Sequence, residues 1–188
     1  MRKPRTGNKK SKEIAKTILQ VIEMTVLVTS VIVFPGLAHV AQWLEESTRQ
    51  SKPRVKKAFY DLQKRKMIKL VEDGQKWKLI LTKKGKAQLT QYQLKELKIK
   101  RPAKWDGVWR MVMFDIPESS KYTRDFIRRK LTELGFVSIQ KSVFIHPFPC
   151  REIIEFLRDY YKLSSGELYI FEARLIEGEK NLKRHFKL

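Results

Sequence analysis

The sequence is poor in the residues that most metal and nucleophile sites are built from. It holds one cysteine, Cys150, so no internal disulfide can form and a zinc site of several thiolates is excluded. Its three histidines, His39, His146 and His185, are scattered, with no His-Asp or His-Glu cluster for hydrolytic chemistry. Long apolar runs are missing as well. The best is Met24 to Phe34, too short for a membrane span, and Gln20 and Glu23 interrupt its extension toward the N-terminus. It follows a basic start, as the core of a signal peptide or anchor would, but its length fits a buried helix better, and no stable membrane association is expected. Acids are scarce too: 20 Asp and Glu stand against 41 Lys and Arg, a formal net charge of +21. Self-repulsion on that scale points to a polyanionic partner, nucleic acid first and an anionic membrane second. The lone thiol fits a reducing cytoplasm.

With 188 residues the chain has room for one large or two small domains. Residues 1–12 hold Arg2, Lys3, Arg5, Lys9, Lys10 and Lys12 without an acid, and are expected to be a disordered arm, either neutralising phosphates or solubilising. From Lys12 to about Val33 the pattern is helical, with Ile14, Ile18, Val21, Ile22 and Thr25 on one side, although the β-branched run from Val26 weakens it. Pro35-Gly36 ends it, and Leu37, Val40, Ala41 and Leu44 mark a second helix. A third helix begins at Ser51 and Pro53, burying Val55, Phe59 and Leu62 and exposing a basic side with Arg54, Lys56, Lys57, Tyr60, Asp61 and Lys64. The alternation in Met67–Leu70 and Lys76–Leu81 around Asp73-Gly74 predicts a hairpin carrying Lys76 and Lys78. Thr82 is placed to cap a further helix, read from Lys83 to Lys100, long enough to link or dimerise.

Helix, helix, basic helix and hairpin is the order of a winged helix-turn-helix. Its third helix fits the major groove, and its wing reaches the phosphates. The segment resembles winged-helix regulators through Val55, Leu62, Ile68 and Leu81-Thr82-Lys83-Lys84-Gly85. Double-stranded DNA is therefore the expected partner, contacted by Arg54, Lys56, Lys57, Tyr60, Lys64, Lys76 and Lys78.

A break at Lys100-Arg101-Pro102 separates a second domain, giving boundaries of 13–100 and 101–188. Arg110–Ile116 reads as a central strand covered on both faces, and Tyr122–Leu134 as an amphipathic helix with Arg124, Arg128, Arg129 and Lys130 outside, ended by Gly135. Two short strands in 136–146, a helix over 151–162 and a last strand in 167–176 complete β-α-β-β-α-β, a ferredoxin-like order. The fold class is thus α+β.

Trp105-Asp106-Gly107, Trp109-Arg110, Phe114-Asp115-Ile116-Pro117-Glu118, Leu134-Gly135-Phe136, Gln140-Lys141-Ser142-Val143-Phe144 and Pro147 together resemble the central Cas2-like domain of PaaX-type repressors. With the winged helix, the resemblance covers roughly residues 10–176. It implies a homodimeric, DNA-binding transcriptional regulator; the extra C-terminal domain of full-length PaaX proteins is expected to be absent, and with it an acyl-CoA response. Likeness to Cas2 implies an alternative, a Mg²⁺-dependent nuclease or a CRISPR-adaptation or DNA-integration subunit using Asp115. One carboxylate per chain is a poor metal site, which a symmetric dimer would improve. A structural role for Asp115, capping the next helix or bonding turn amides, is the preferred reading, and the chain is expected to be a binder without cofactor more than an enzyme. Cys150, at a helix start with no base near it in sequence, is expected to be a packed thiol and not a nucleophile.

Overall fold

The computed structural model describes residues 6–29, 32–34, 37–49, 52–73, 76–174 and 177–188. The chain divides into two compact units, 1–96 and 97–188.

The first unit begins with α1 (Thr6–Thr29), so residues 6–12 of the expected arm are helical. The rest of that arm lies outside the described residues. Ile14, Ile18 and Ile22 bury one stripe of α1, widened by Ala15 and Leu19. Ile32–Phe34, whose pattern continues that of the helix, is instead a strand, β1. Stiff β-branched side chains suit an extended backbone once a partner strand is available. That partner is β3 (Lys76–Leu81), with Ile32 opposite Leu79.

Helix α2 (Leu37–Thr48) contributes Val40 and Leu44, and α3 (Lys52–Lys64) contributes Val55, Ala58 and Leu62, to the same core. Strand β2 (Ile68–Asp73) pairs antiparallel with β3 from Ile68–Leu81 to Asp73–Lys76, giving a sheet of order β1-β3-β2. The expected cap at Ser51, the stop at Pro35-Gly36 and the Gly74 turn position lie outside the described residues. Helix α4 (Lys83–Glu96) is shorter than expected, and it is no free linker. Leu89 sits in the core, Tyr92 packs against it, and Glu96 forms an ion pair with Lys16 of α1.

The second unit runs β4 (Trp109–Phe114), α5 (Lys121–Glu133), β5 (Val137–Gln140), β6 (Val143–His146), α6 (Arg151–Tyr161), β7 (Leu168–Ala173) and α7 (Glu179–Phe186), with a 3-10 turn at Glu118–Ser120 before α5. The sheet order is β5-β6-β4-β7, all antiparallel. Each β-α-β crossover therefore skips one strand, the arrangement of a split β-α-β pair.

Strand β4 is central, yet it is not covered on both faces. Val112 and Phe114 are buried, whereas Met113 on the other side is 39% exposed, beside the half-exposed Tyr169 and Phe171 of β7. An antiparallel sheet tolerates one open face. Lys130, expected outside, is buried along its stem while its ammonium reaches Glu133 at 3.2 Å, the way long cationic side chains keep a wet head on an apolar body. Helix α7 was not foreseen. Its Phe186 ring stands 5.9 Å from Trp109 and 5.5 Å from His146, and Glu179 accepts a hydrogen bond from the Trp109 indole.

Candidate nucleic-acid interface

Helix α3 turns Val55, Ala58 and Leu62 inward, which leaves the opposite side to solvent. Arg54, Lys56, Lys57 and Lys64 are exposed there, and Tyr60 is 59% exposed. None of the four cations takes a hydrogen bond or ion pair among the described residues. The other two predicted contacts stand differently. Lys76 is exposed at the start of β3, opposite Asp73. Lys78 lies in mid-strand, paired with β1 on one side and β2 on the other, and is half-buried with an interaction of its own.

What fixes these elements locally is the Leu81–Gly85 stretch. The Thr82 hydroxyl is shared between the carbonyls of Lys66 (2.8 Å) and Met67 (3.0 Å) and accepts from the Gly85 N–H (3.1 Å), so it caps α4 and ties it to the entry of β2. The Thr82 N–H also donates to the Met67 carbonyl. A Cβ on Gly85 would lie 2.0 Å from that same oxygen, so only glycine fits.

A comparable clasp explains the Trp105–Arg110 stretch. Arg110 is 7% exposed and reaches Asp106 with both terminal nitrogens, at 2.8 and 2.5 Å, while donating to the carbonyls of Val108 and Pro147. This guanidinium holds the Asp106 carboxyl at a pKa of about 2. The Trp105 indole donates to the same two carbonyls, and Asp106 accepts from the Val108 N–H. Gly107 supplies the positive φ of +78° that the turn needs. The motif is structural throughout: it seats the start of β4 against the end of β6.

Asp115 follows β4 directly and is exposed. Its backbone N–H donates to Glu167, but its carboxylate caps no helix and takes no turn amide among the described residues, so the anticipated capping role has no counterpart. The next acids along the chain are engaged elsewhere: Glu118 binds Arg124 at 2.6 Å, which holds its pKa down, and Asp125 meets Arg128 at 3.4 Å. Among the described residues no group of three or more His, Cys, Asp or Glu is placed to hold a metal ion. Nothing in this arrangement favours the nuclease alternative. Cys150 is buried at the start of α6, its thiol pushed up to about 12 by desolvation, and it stays protonated and inert at neutral pH. The His146 ring is buried against Phe136 and Phe148 and accepts from the Phe148 N–H; burial lowers its pKa to about 4.

Helix α7 and the pairing of Asp106 with Arg110 lie outside what the sequence pattern predicts. The signals were Gly178 followed by Glu179 and Lys183 one turn apart, and the Asp-Gly turn four residues before a buried arginine. Among the described residues no helix is long and apolar enough to cross a membrane.

A family model described as the PaaX protein central Cas2-like domain matches residues 102–184. No curated protein matches the chain. The match spans the second unit from just before the Trp105 clasp to the last turns of α7, so this unit is similar to the PaaX-type central Cas2-like domain, which supports a PaaX-type assignment.

Proposed function

We propose that the chain is a PaaX-like transcriptional regulator that binds double-stranded DNA through a winged helix-turn-helix formed by the first unit. The observation that carries this reading is the row of cations on α3: Arg54, Lys56, Lys57 and Lys64 face solvent, and none of their side chains is held in an ion pair among the described residues. In the second unit, by contrast, Arg110, Arg124, Arg128, Lys130, Arg151 and Lys183 each hold a carboxylate. The excess itself is concentrated in the first unit, where residues 1–96 have 22 Lys and Arg against 8 Asp and Glu, while residues 97–188 have 19 against 12. Uncompensated charge on a helix narrow enough for the major groove is the electrostatic footprint of a DNA reader. The order α-β-α-α-β-β with its β1-β3-β2 sheet supports the winged-helix reading.

The ferredoxin-like second unit makes the protein a homodimer in this reading, through the open sheet face that carries Met113, Tyr169 and Phe171. Two-fold symmetry then makes the operator an inverted repeat with half-sites a whole number of helical turns apart. As a cytoplasmic DNA binder the protein requires no cofactor, and repression follows from occupying the operator. Gel-shift titration of the chain against its own upstream region tests this: the wild type forms a discrete complex, and Lys57→Ala/Lys64→Ala weakens it. Equal affinity of the two proteins would remove α3 from the interface.

A further inference from the structure

We infer that Asp61 is a base-reading residue, whose carboxylate accepts a hydrogen bond from the exocyclic amino group of a cytosine in the major groove. This rests on the placement of α3 in DNA proposed above. Successive residues of an α-helix are about 100° apart, so Lys57, Tyr60, Asp61 and Lys64 (i, i+3, i+4, i+7) form one strip. All four are exposed, on the side of the helix away from the buried Val55, Ala58 and Leu62, with Asp61 the nearest of them to that buried stripe. Arg54 and Lys56 leave the helix on either side of it, where the phosphates bordering a groove would be. Asp61 stands midway along the strip, toward its Arg54 side, and faces the groove, while Lys57 and Lys64 at the two ends reach the phosphates at its mouth.

A carboxylate there is out of place on electrostatic grounds alone, because it repels the phosphates that its neighbours attract. Its usual structural account is an ion pair along the helix. Lys57, Lys64 and Arg65 are all within one turn of Asp61, at the spacings where such pairs form. In α5 and α6 this happens: Asp125 meets Arg128, Glu133 meets Lys130 and Glu155 meets Arg151. Asp61 takes none of its three chances. Its carboxylate has no hydrogen bond or ion pair among the described residues; the residue's backbone carbonyl accepts from the Arg65 N–H. A free acceptor midway along a groove-facing strip matches a donor on a base edge. An aspartate meets the cytosine N4 amino group, the pairing that groove geometry favours for a short carboxylate. Tyr60 beside it presents an exposed ring to the neighbouring base pair, where a thymine methyl would make the apolar contact.

The test is selection of bound duplexes from a random-sequence library, with the full chain and its Asp61→Ala and Asp61→Asn variants. The wild type is expected to select cytosine at one position of each half-site, preferred by about tenfold over the other bases. Asp61→Ala abolishes that preference at that position only, and its affinity for unselected duplex is equal or higher because a repulsive charge is gone. Asp61→Asn moves the preference from cytosine to adenine, which an amide can bond at both N6 and N7. An unchanged base profile in Asp61→Ala overturns the inference while leaving α3 in the groove. So does wild-type binding without any sequence preference. If instead Lys57→Ala/Lys64→Ala binds unselected duplex as tightly as the wild type, the placement of α3 itself fails, and the role of Asp61 falls with it.

Discussion

Replacing Gly85 with alanine is the sharpest probe of how the first unit is held together. The added Cβ would sit 2.0 Å from the Met67 carbonyl oxygen and 2.7 Å from a methyl of Leu81. The leucine can turn aside; the carbonyl cannot, since it accepts from both the N–H and the hydroxyl of Thr82. The first turn of α4 must therefore move off β2. Movement opens the Thr82 cap, which is worth about 1 kcal/mol. It also weakens the bonds at Met67, at about 1 kcal/mol each, and adds overpacking strain of about 1–3 kcal/mol. Alanine is the better helix former by about 1 kcal/mol, which offsets part of this. The net expectation is destabilisation of the first unit by about 3 kcal/mol. A urea titration of the full chain, followed by hydrogen exchange of peptides from residues 1–96, separates that unit's unfolding from the second. The exposed neighbour Lys84→Ala should stay within about 0.5 kcal/mol of the wild type. If Gly85→Ala does the same, α4 is not seated against Met67 and the Thr82 clasp is wrong.

Three further outcomes follow from the second unit. Asp106→Ala strips the buried Arg110 guanidinium of its bidentate partner and should lower that unit's unfolding free energy by about 2 kcal/mol, read from its own urea transition; a change below about 0.5 kcal/mol would mean that the clasp is ornamental. His146 titrates near 4 when folded and near 6.5 when unfolded, so the unfolded chain takes up the proton first. Stability is full above about pH 6.5 and falls by about 3 kcal/mol down to pH 4, a limb that His146→Gln should flatten in a series of urea melts. Below that, the Asp106 contribution, present above its ordinary value of 3.8, is lost as pH falls toward 2. Asp115→Asn should leave stability within about 0.5 kcal/mol, and with Mg²⁺ and labelled RNA or DNA the wild type should show no cleavage that this variant lacks. Asp115-dependent cleavage would restore the nuclease reading.

Sequence pattern carried most of the elements, because each buried stripe obeys its own local period. The inward faces of α1, α3 and β3 are visible in the spacing of Ile14 and Ile18, Val55 and Leu62, and Leu79 and Leu81. What failed depends on partners far along the chain. Residues 32–34 are extended because β3 is there to pair with them, and no local period announces that. Helix α7 has too few turns for a persuasive stripe, and its Phe186 gains a purpose only beside Trp109 and His146. The Thr82 and Trp105 motifs were legible as marks of kinship; the hydrogen bonds that make them necessary were not, since their acceptors, Met67 and Pro147, are remote in sequence. At the candidate interface, exposure of Lys57 and Lys64 could be read from a helical wheel. Their lack of partners among the described residues could not, because pairing depends on which acids the fold brings near. The same limit applied to Asp115: the next acids along the chain, Glu118 and Asp125, pair with Arg124 and Arg128.

The central claim, that free cations on α3 meet DNA phosphates, is tested most directly by the salt dependence of duplex binding. Fluorescence anisotropy of a labelled mixed-sequence duplex, titrated with the full chain at several salt concentrations, gives the slope of log affinity against log salt. Each phosphate contact contributes about 0.9 to that slope, so Lys57→Ala/Lys64→Ala should bind more weakly with a slope smaller by about 1.8. Lys180→Ala, an exposed cation of the second unit, should leave both unchanged. The same slope and affinity in the wild type and the α3 double variant would contradict the account.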